Sequence, residues 1–293
     1  MFSSDMMLSM MRAPRLLIFD SGLGGLTVFA EILRLRPQAD YLYAADDAAF
    51  PYGAMSEEAL ITRVLDVMGR LIASYAPDAV VIACNTASTL VLPHLRAAYP
   101  DLPFVGTVPA VKPAGEISRS HLISVLATPG TVARDYTHEL VRTYASHCAV
   151  TLVGSRKLAG LAEAMMKGES VPDEAIAHEI APCFVDFDGR RTDCVVLACT
   201  HFPLLTDHFQ RLAPWPVEWI DPAPAIARRL DYVLREELGF RSEGRVEEGV
   251  RHRVFFTKGG PLSPALEAVL RMRGLEPDEV DPFPWPMPAR SAL

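Results

Sequence analysis

The chain has only four lysines in 293 residues, Lys112, Lys157, Lys167 and Lys258. A pyridoxal-phosphate enzyme needs one as its Schiff base. Only Lys112, in PAVKPAG, is conceivable, and no phosphate-cradle motif accompanies it. Positive charge is in deficit: 28 Lys+Arg against 36 Asp+Glu leave a formal net charge of −8. That balance argues against a partner such as nucleic acid or an anionic membrane, both of which favour basic surfaces. No segment approaches the ~18–20 uninterrupted apolar residues of a membrane helix. The N-terminus, MFSSDMMLSMMRAPR, carries Asp5 early and its arginines late, the reverse of a secretory signal. A disordered leader over 1–13 and a cytoplasmic protein are expected.

Other absences narrow the chemistry. The five cysteines, Cys84, Cys148, Cys183, Cys194 and Cys199, are odd in number and include no C-x-x-C pair, so no disulfide framework is expected. Cys194, Cys199 and His201 have C-x4-C-x-H spacing, which matches no usual zinc set, and no metal is expected. The phosphate-loop pattern is absent. In Asp20–Leu26, DSGLGGL, a G-x-G-x-x-G reading fails because Thr27 stands where the third glycine belongs.

What is present is an ordinary globular composition, 50% hydrophobic and 22% charged. Short aliphatic runs alternate with amphipathic stretches. Strands are expected at Arg15–Asp20, Tyr41–Ala45, Ala79–Ala83, Leu122–Ala127, Val150–Val153, Cys194–Ala198 and Val254–Thr257. Helices are expected at Leu26–Leu35, from a Ser56 cap to Tyr75, and at Ser88–Tyr99, Val132–Ser146, Leu158–Lys167, Asp173–Phe184 and Ser263–Arg271. Such alternation points to α/β architecture with parallel sheets. The proline-rich end from Pro277 is expected to be irregular.

The chain also echoes itself. Val80–Thr86, VVIACNT, aligns with Val195–His201, VVLACTH, with four of seven positions identical at a separation of 115 residues. Buried strands explain the aliphatics, but not a cysteine at each carboxyl end followed by polar residues. In open α/β sheets that end is where ligands bind. Asp20-Ser21, Cys84-Asn85-Thr86, Thr128 and Cys199-Thr200-His201 should converge there. A helix N-terminus should lower each thiol's pKa, and Asn85, Thr86 and Thr200 supply donors for a carboxylate.

Two thiols on opposite sides of a small acid suggest racemisation: one thiolate removes the Cα proton while the other thiol returns one to the opposite face. The main rival is nucleophilic catalysis by Cys199 with His201. Residues two apart on an extended segment share a side without facing each other, and that chemistry leaves Cys84 unexplained. A non-catalytic binding protein with inert thiols is the reading from another class. The remaining histidines, including His121 and His147, are taken as surface or core-edge groups.

Together FDSGLGGLTV (Phe19–Val28), PYG (Pro51–Gly53), ACNTAS (Ala83–Ser88), the Thr128–Thr131 turn, LAE (Leu161–Glu163) and LACTHFPLL (Leu197–Leu205) resemble the bacterial glutamate racemases. These are cofactor-independent enzymes that supply D-glutamate for peptidoglycan. Aspartate-type relatives usually follow the second cysteine with Thr-Glu, so Thr200-His201 favours L-glutamate and D-glutamate as substrates; aspartate or a related acid is the alternative. The resemblance implies that Cys199 draws the proton from L-glutamate and Cys84 from D-glutamate. Asp20 would assist on the Cys84 side and His201 on the Cys199 side, with Glu163 as an additional active-site glutamate. Asp20-Ser21, Tyr52-Gly53, Asn85-Thr86 and Thr200-His201 would bind substrate. It also implies two similar doubly wound α/β domains with pseudo-two-fold symmetry and the site between them. The expected extents are 14–109 plus 222–271 for the first and 110–221 for the second, with 272–293 as a tail. A homodimer is an expectation that the residues themselves do not fix.

Overall fold

The computed structural model describes residues 12–240 and 252–277. Most of the leader and the proline-rich end beyond 277 lie outside the described residues.

The described residues form twelve strands: β1 (Arg15–Asp20), β2 (Asp40–Ala45), β3 (Ala79–Ile82), β4 (Phe104–Gly106), β5 (Leu122–Ala127), β6 (Ala149–Gly154), β7 (Asp186–Phe187), β8 (Arg190–Arg191), β9 (Cys194–Ala198), β10 (Glu218–Ile220), β11 (His252–Phe256) and β12 (Leu275–Pro277). β3, β5 and β9 are buried at every position, as parallel strands covered on both faces must be. Their side chains alternate between layers. Leu16 and Ile18 of β1 enter one core while Leu17 and Phe19 enter the other. In β9, Val195 and Leu197 face one core, Cys194 and Val196 the second. These apolar layers hold the sheets between helices.

The strands form two parallel sheets, in the orders β12-β11-β2-β1-β3-β4 and β10-β9-β5-β6, plus a β7–β8 hairpin. Reading the second sheet backwards sets β6-β5-β9-β10 against β2-β1-β3-β4 of the first. β3 and β9, the strands of the internal echo, therefore hold the same rank. The architecture is the expected pair of related α/β layers. The chain returns to the first sheet late: β11 pairs with β2, Arg253 opposite Leu42 and Phe256 opposite Ala45.

Several elements differ from the sequence expectation. The helix expected from Ser88 begins at Asn85, directly after Cys84. The one expected over Val132–Ser146 is a short turn, Pro129–Val132, followed by Asp135–Tyr144. β4, β10 and the helices Val111–Ile117 and Ala223–Tyr232 were not anticipated. The irregular tail is corrected at its start: Leu275–Pro277 adds β12 in parallel to β11, and Leu275 is fully buried. The Ser56 cap does form, its hydroxyl accepting from the Ala59 N–H at 3.3 Å.

Candidate active site

The carboxyl ends of β1, β3, β5 and β9 deliver their following residues to one region. Asp20 closes β1 and is fully buried. Its carboxylate accepts from the N–H of Ser21 at 2.7 Å and of Gly25 at 2.6 Å, folding the glycine loop back on itself before the Leu26–Leu35 helix. Thr200 from the second sheet reaches the same carboxylate at 3.4 Å, and Thr27 reaches the Thr200 carbonyl at 3.3 Å. The two halves are thus stitched together at the site.

Cys84 is the residue from which the Asn85–Ala98 helix springs, and its Sγ lies 3.8 Å from Ser21 Oγ. Cys199 follows β9, with Sγ 3.9 Å from His201 Nδ1. Both thiols are buried. Two expectations are corrected here. Cys199 and His201 do face each other, because Cys199, Thr200 and His201 form a turn and not an extended segment. The thiol of Cys84 is not lowered by its helix: burial pushes it well up, and the charges of Asp20 and Cys199 add to that. Desolvation outweighs the helix N-terminus, whose N–H groups give only partial relief. Cys199 is followed by a turn and a short 3-10 segment, Phe202–Leu205, before the regular helix Thr206–Leu212 begins.

His201 is buried against Glu163, with Nε2 2.9 Å from Oε1. Burial opposes charge on the ring. The hydrogen bonds to Cys199 and Glu163, with the charge of Asp20, overcome it and hold the imidazole well above its ordinary value. Nε2 lies between the Glu163 carboxylate and the Gly24 N–H, the latter at 3.2 Å, while Nδ1 faces the Cys199 sulfur. Burial alone would raise Glu163, but its bonds to His201 and the Leu23 N–H, with Lys167 at 3.0 Å, bring it down to about 2. Asp20 goes the other way. Burial pushes its carboxyl above the usual range, against the pull of His201 and the two backbone N–H groups.

Asn85, one residue past Cys84, is buried, and neither its Oδ1 nor its Nδ2 has a partner. An amide left bare in this way costs ~1–3 kcal/mol per group unless something else meets it. Thr86 and Thr128 bring their hydroxyls within 3.3 Å of each other across the two halves. Gly53, exposed at the rim, lies beside Thr128, and a Cβ on it would stand 3.5 Å from the Thr128 Cβ. Tyr52 is buried, with its hydroxyl donating to Asp46 at 2.6 Å. Asp46 also pairs with Arg63 at 2.6 Å and accepts from Thr257 at 2.6 Å. This buried hub anchors the Pro-Tyr-Gly turn. The structure therefore gathers Asp20, Ser21, Asn85, Thr86, Glu163, Thr200 and His201 around the two cysteines, with Tyr52, Gly53 and Thr128 at the edge.

Sequence reasoning missed three supports. The phenyl ring of Phe50 lies 5.3 Å from the His201 ring. Asp46 and Arg63 hold Tyr52 from below. The glycines of DSGLGGL serve close packing: a Cβ on Gly24 would stand 2.6 Å from the His201 backbone nitrogen, and one on Gly22 would collide with Glu163. The glycine cluster was the available signal. It indicates another backbone pressed against this loop, where a nucleotide reading had looked for phosphate.

Residues 26–230 match the family described as Asp/Glu/Hydantoin racemase. The chain is 57% identical over 220 residues to a glutamate racemase of Brucella anthropi, covering 75% of this chain and 79% of that one. A glutamate racemase of Sinorhizobium medicae is 54% identical over 246 residues, covering 84% and 89%. The crystal structure of Escherichia coli glutamate racemase in complex with L-glutamate and the activator UDP-MurNAc-Ala superposes with a TM-score of 0.81 at 38% identity, covering 90% of this chain and 97% of that one. The chain belongs to the Asp/Glu/Hydantoin racemase family and is an amino-acid racemase.

Proposed function

We propose that this racemase interconverts L-glutamate and D-glutamate in the cytoplasm, by two-base proton transfer between Cys84 and Cys199 and without a cofactor, supplying D-glutamate for peptidoglycan. The observation that carries the reading is the bare amide of Asn85 beside Cys84, in a buried site whose two thiols end equivalent strands. An amino acid offers both partners that amide lacks: carboxylate oxygens for Nδ2 and an ammonium for Oδ1. Thr86, Thr200 and the first backbone N–H groups of the Asn85–Ala98 helix add donors for the carboxylate.

With L-glutamate bound, the Cys199 thiolate takes the Cα proton and Cys84 delivers its own from the opposite side. The enzyme is left with Cys199 protonated and Cys84 as thiolate, ready for D-glutamate. The raised pKa of Cys84 makes it the protonated partner at rest, while His201 Nδ1 stands 3.9 Å from the Cys199 sulfur, within reach of a hydrogen bond to it. Glu163 acts through His201 and is a positioning residue. Asp20 orders the loop that carries Ser21 and faces the Cys84 side. Positioned acid–base groups contribute ~10²–10⁴-fold, and exclusion of water strengthens every charge interaction in the site.

The test uses purified protein, stripped of pyridoxal phosphate and treated with chelator, given L-glutamate in D₂O. Optical rotation should decay as one deuterium enters Cα. Decay without deuterium, or no decay, overturns the mechanism. L-aspartate run in parallel tests the substrate, since one methylene is worth ~1–3 kcal/mol in a pocket. Equal rates on both acids would overturn the glutamate assignment.

A further inference from the structure

We propose that His121, His147 and Cys148 form a second, non-catalytic site that binds a zinc-class divalent cation at the end of the second sheet opposite the cysteine pair. His121 immediately precedes β5 and Cys148 immediately precedes β6, and the two strands pair in parallel from Leu122 opposite Ala149. Strand starts that lie side by side bring the three side chains together, at the far end of a six-residue strand from the catalytic turns, about 20 Å away at ~3.3 Å per residue. One ligand atom from each residue lies within 4.8 Å of the other two. Cys148 Sγ is 3.9 Å from His121 Nδ1, and the two rings stand edge to face with centroids 5.6 Å apart.

Local geometry suits metal binding. His147 and Cys148 occupy a turn before the strand begins, so neighbouring residues escape the alternation that would send them to opposite faces. His147 Nε2 lies 3.0 Å from the Gly115 carbonyl. Donation there fixes the tautomer with its lone pair on Nδ1, the arrangement in which a backbone carbonyl orients a ligating imidazole. His121 adopts a left-handed backbone, φ 56, unusual for a residue other than glycine. Ser118 Oγ holds its N–H at 3.1 Å, and Asp193 ties Ser118, Arg119 and Ser120 together at 2.6, 2.7 and 2.9 Å. Bonds of ~2.0–2.3 Å place tetrahedral ligands about 3.3–3.8 Å apart. Small side-chain rotations at this exposed edge close the remaining distance. Two imidazoles and a thiolate select zinc, cobalt or copper over magnesium or calcium, and three protein ligands leave a fourth position for solvent.

The full chain is titrated with Zn²⁺ and, separately, Co²⁺. Zn²⁺ should protect Cys148 from iodoacetamide, read by peptide mass, and Co²⁺ should give a sulfur-to-cobalt charge-transfer band. His121→Ala and Cys148→Ser should each weaken metal binding by at least about tenfold, with metal-free racemisation and thermal midpoint unchanged. Protection confined to Cys84 or Cys199, or to no cysteine, overturns the proposal, and needs no variant to fold. Unchanged affinity in both variants overturns it equally.

Discussion

The two thiols end strands of equal rank in two related sheets, yet their surroundings differ in kind. Cys84 opens a regular helix and meets a serine hydroxyl and the Ala87 N–H, with the buried carboxylate of Asp20 nearby. Cys199 precedes an irregular turn and faces an imidazole that is hydrogen-bonded to Glu163. The strand order is shared and the surroundings of the sulfurs are not. Strands of equal rank can place two equivalent sulfurs, but the side chains around those sulfurs are not repeated. A racemase must handle two mirror-image substrates of identical energy, and under the proposed mechanism it would do so here with two chemically different half-sites.

That contrast can be broken most completely at the sulfurs. Cys84→Ser or Cys199→Ser should lower racemisation by ~10²–10⁴-fold in both directions while leaving circular dichroism and the thermal midpoint in place, because each face needs its own proton carrier. Near wild-type turnover in either would end the two-base account. Gly24→Ala comes next. Its methyl would stand 2.6 Å from the His201 backbone nitrogen, so the Cys199 half should lose its alignment. A displacement of about 1 Å costs ~10²-fold, and overpacking costs ~1–3 kcal/mol of stability, both readable from kcat and from urea unfolding.

Glu163→Gln should erase part of the asymmetry itself, slowing turnover by about tenfold and moving the His201 limb of the pH–rate profile to lower pH. The same pair gives a stability signature. The carboxyl is depressed from 4.5 to about 2, so its contribution is present above about pH 4.5 and lost as the pH falls toward 2. The imidazole is raised above 6.5, so its contribution is complete below that value and fades only at higher pH. The stability gap between wild type and Glu163→Gln should be widest between these limits and close in acid. The smallest effect sharpens the comparison. Asp20→Asn and His201→Asn should lower kcat more in opposite directions, by a few-fold, with KM moving in step because enantiomers of equal energy require equal kcat/KM. Symmetric changes in kcat would show that the half-sites act as one.

How far this could be read from the amino acids depended on whether the signal was local. β1, β3, β5 and β9 are continuous aliphatic runs, legible because a strand buried on both faces needs nothing else. β4, with three residues, and β10, with polar Glu218 at its start, are too short to show a period, and only pairing with β3 and β9 makes them strands. The cysteines stood out because VVIACNT and VVLACTH repeat. The direction of the Cys84 shift did not, since a helix N-terminus is visible in a sequence and the depth of burial is not. Glu163 and Tyr52 carried no chemical signal of their own and came from the family resemblance. His121, His147 and Cys148 were unremarkable until two strand starts placed them side by side.

The late return of the chain has a consequence for synthesis. Every strand of the second sheet lies between residues 122 and 220, so that half can close as soon as its own residues have left the ribosome. The first sheet cannot. β2 has no neighbour on its outer side until β11 arrives, and Asp46, beneath the Pro-Tyr-Gly turn, waits for the hydroxyl of Thr257. A nascent chain stopped before residue 252 would carry both cysteines beside an open strand edge, the kind of surface on which unfinished proteins aggregate. The half that is begun first is therefore the half that is finished last, and the candidate site matures only when synthesis is almost over.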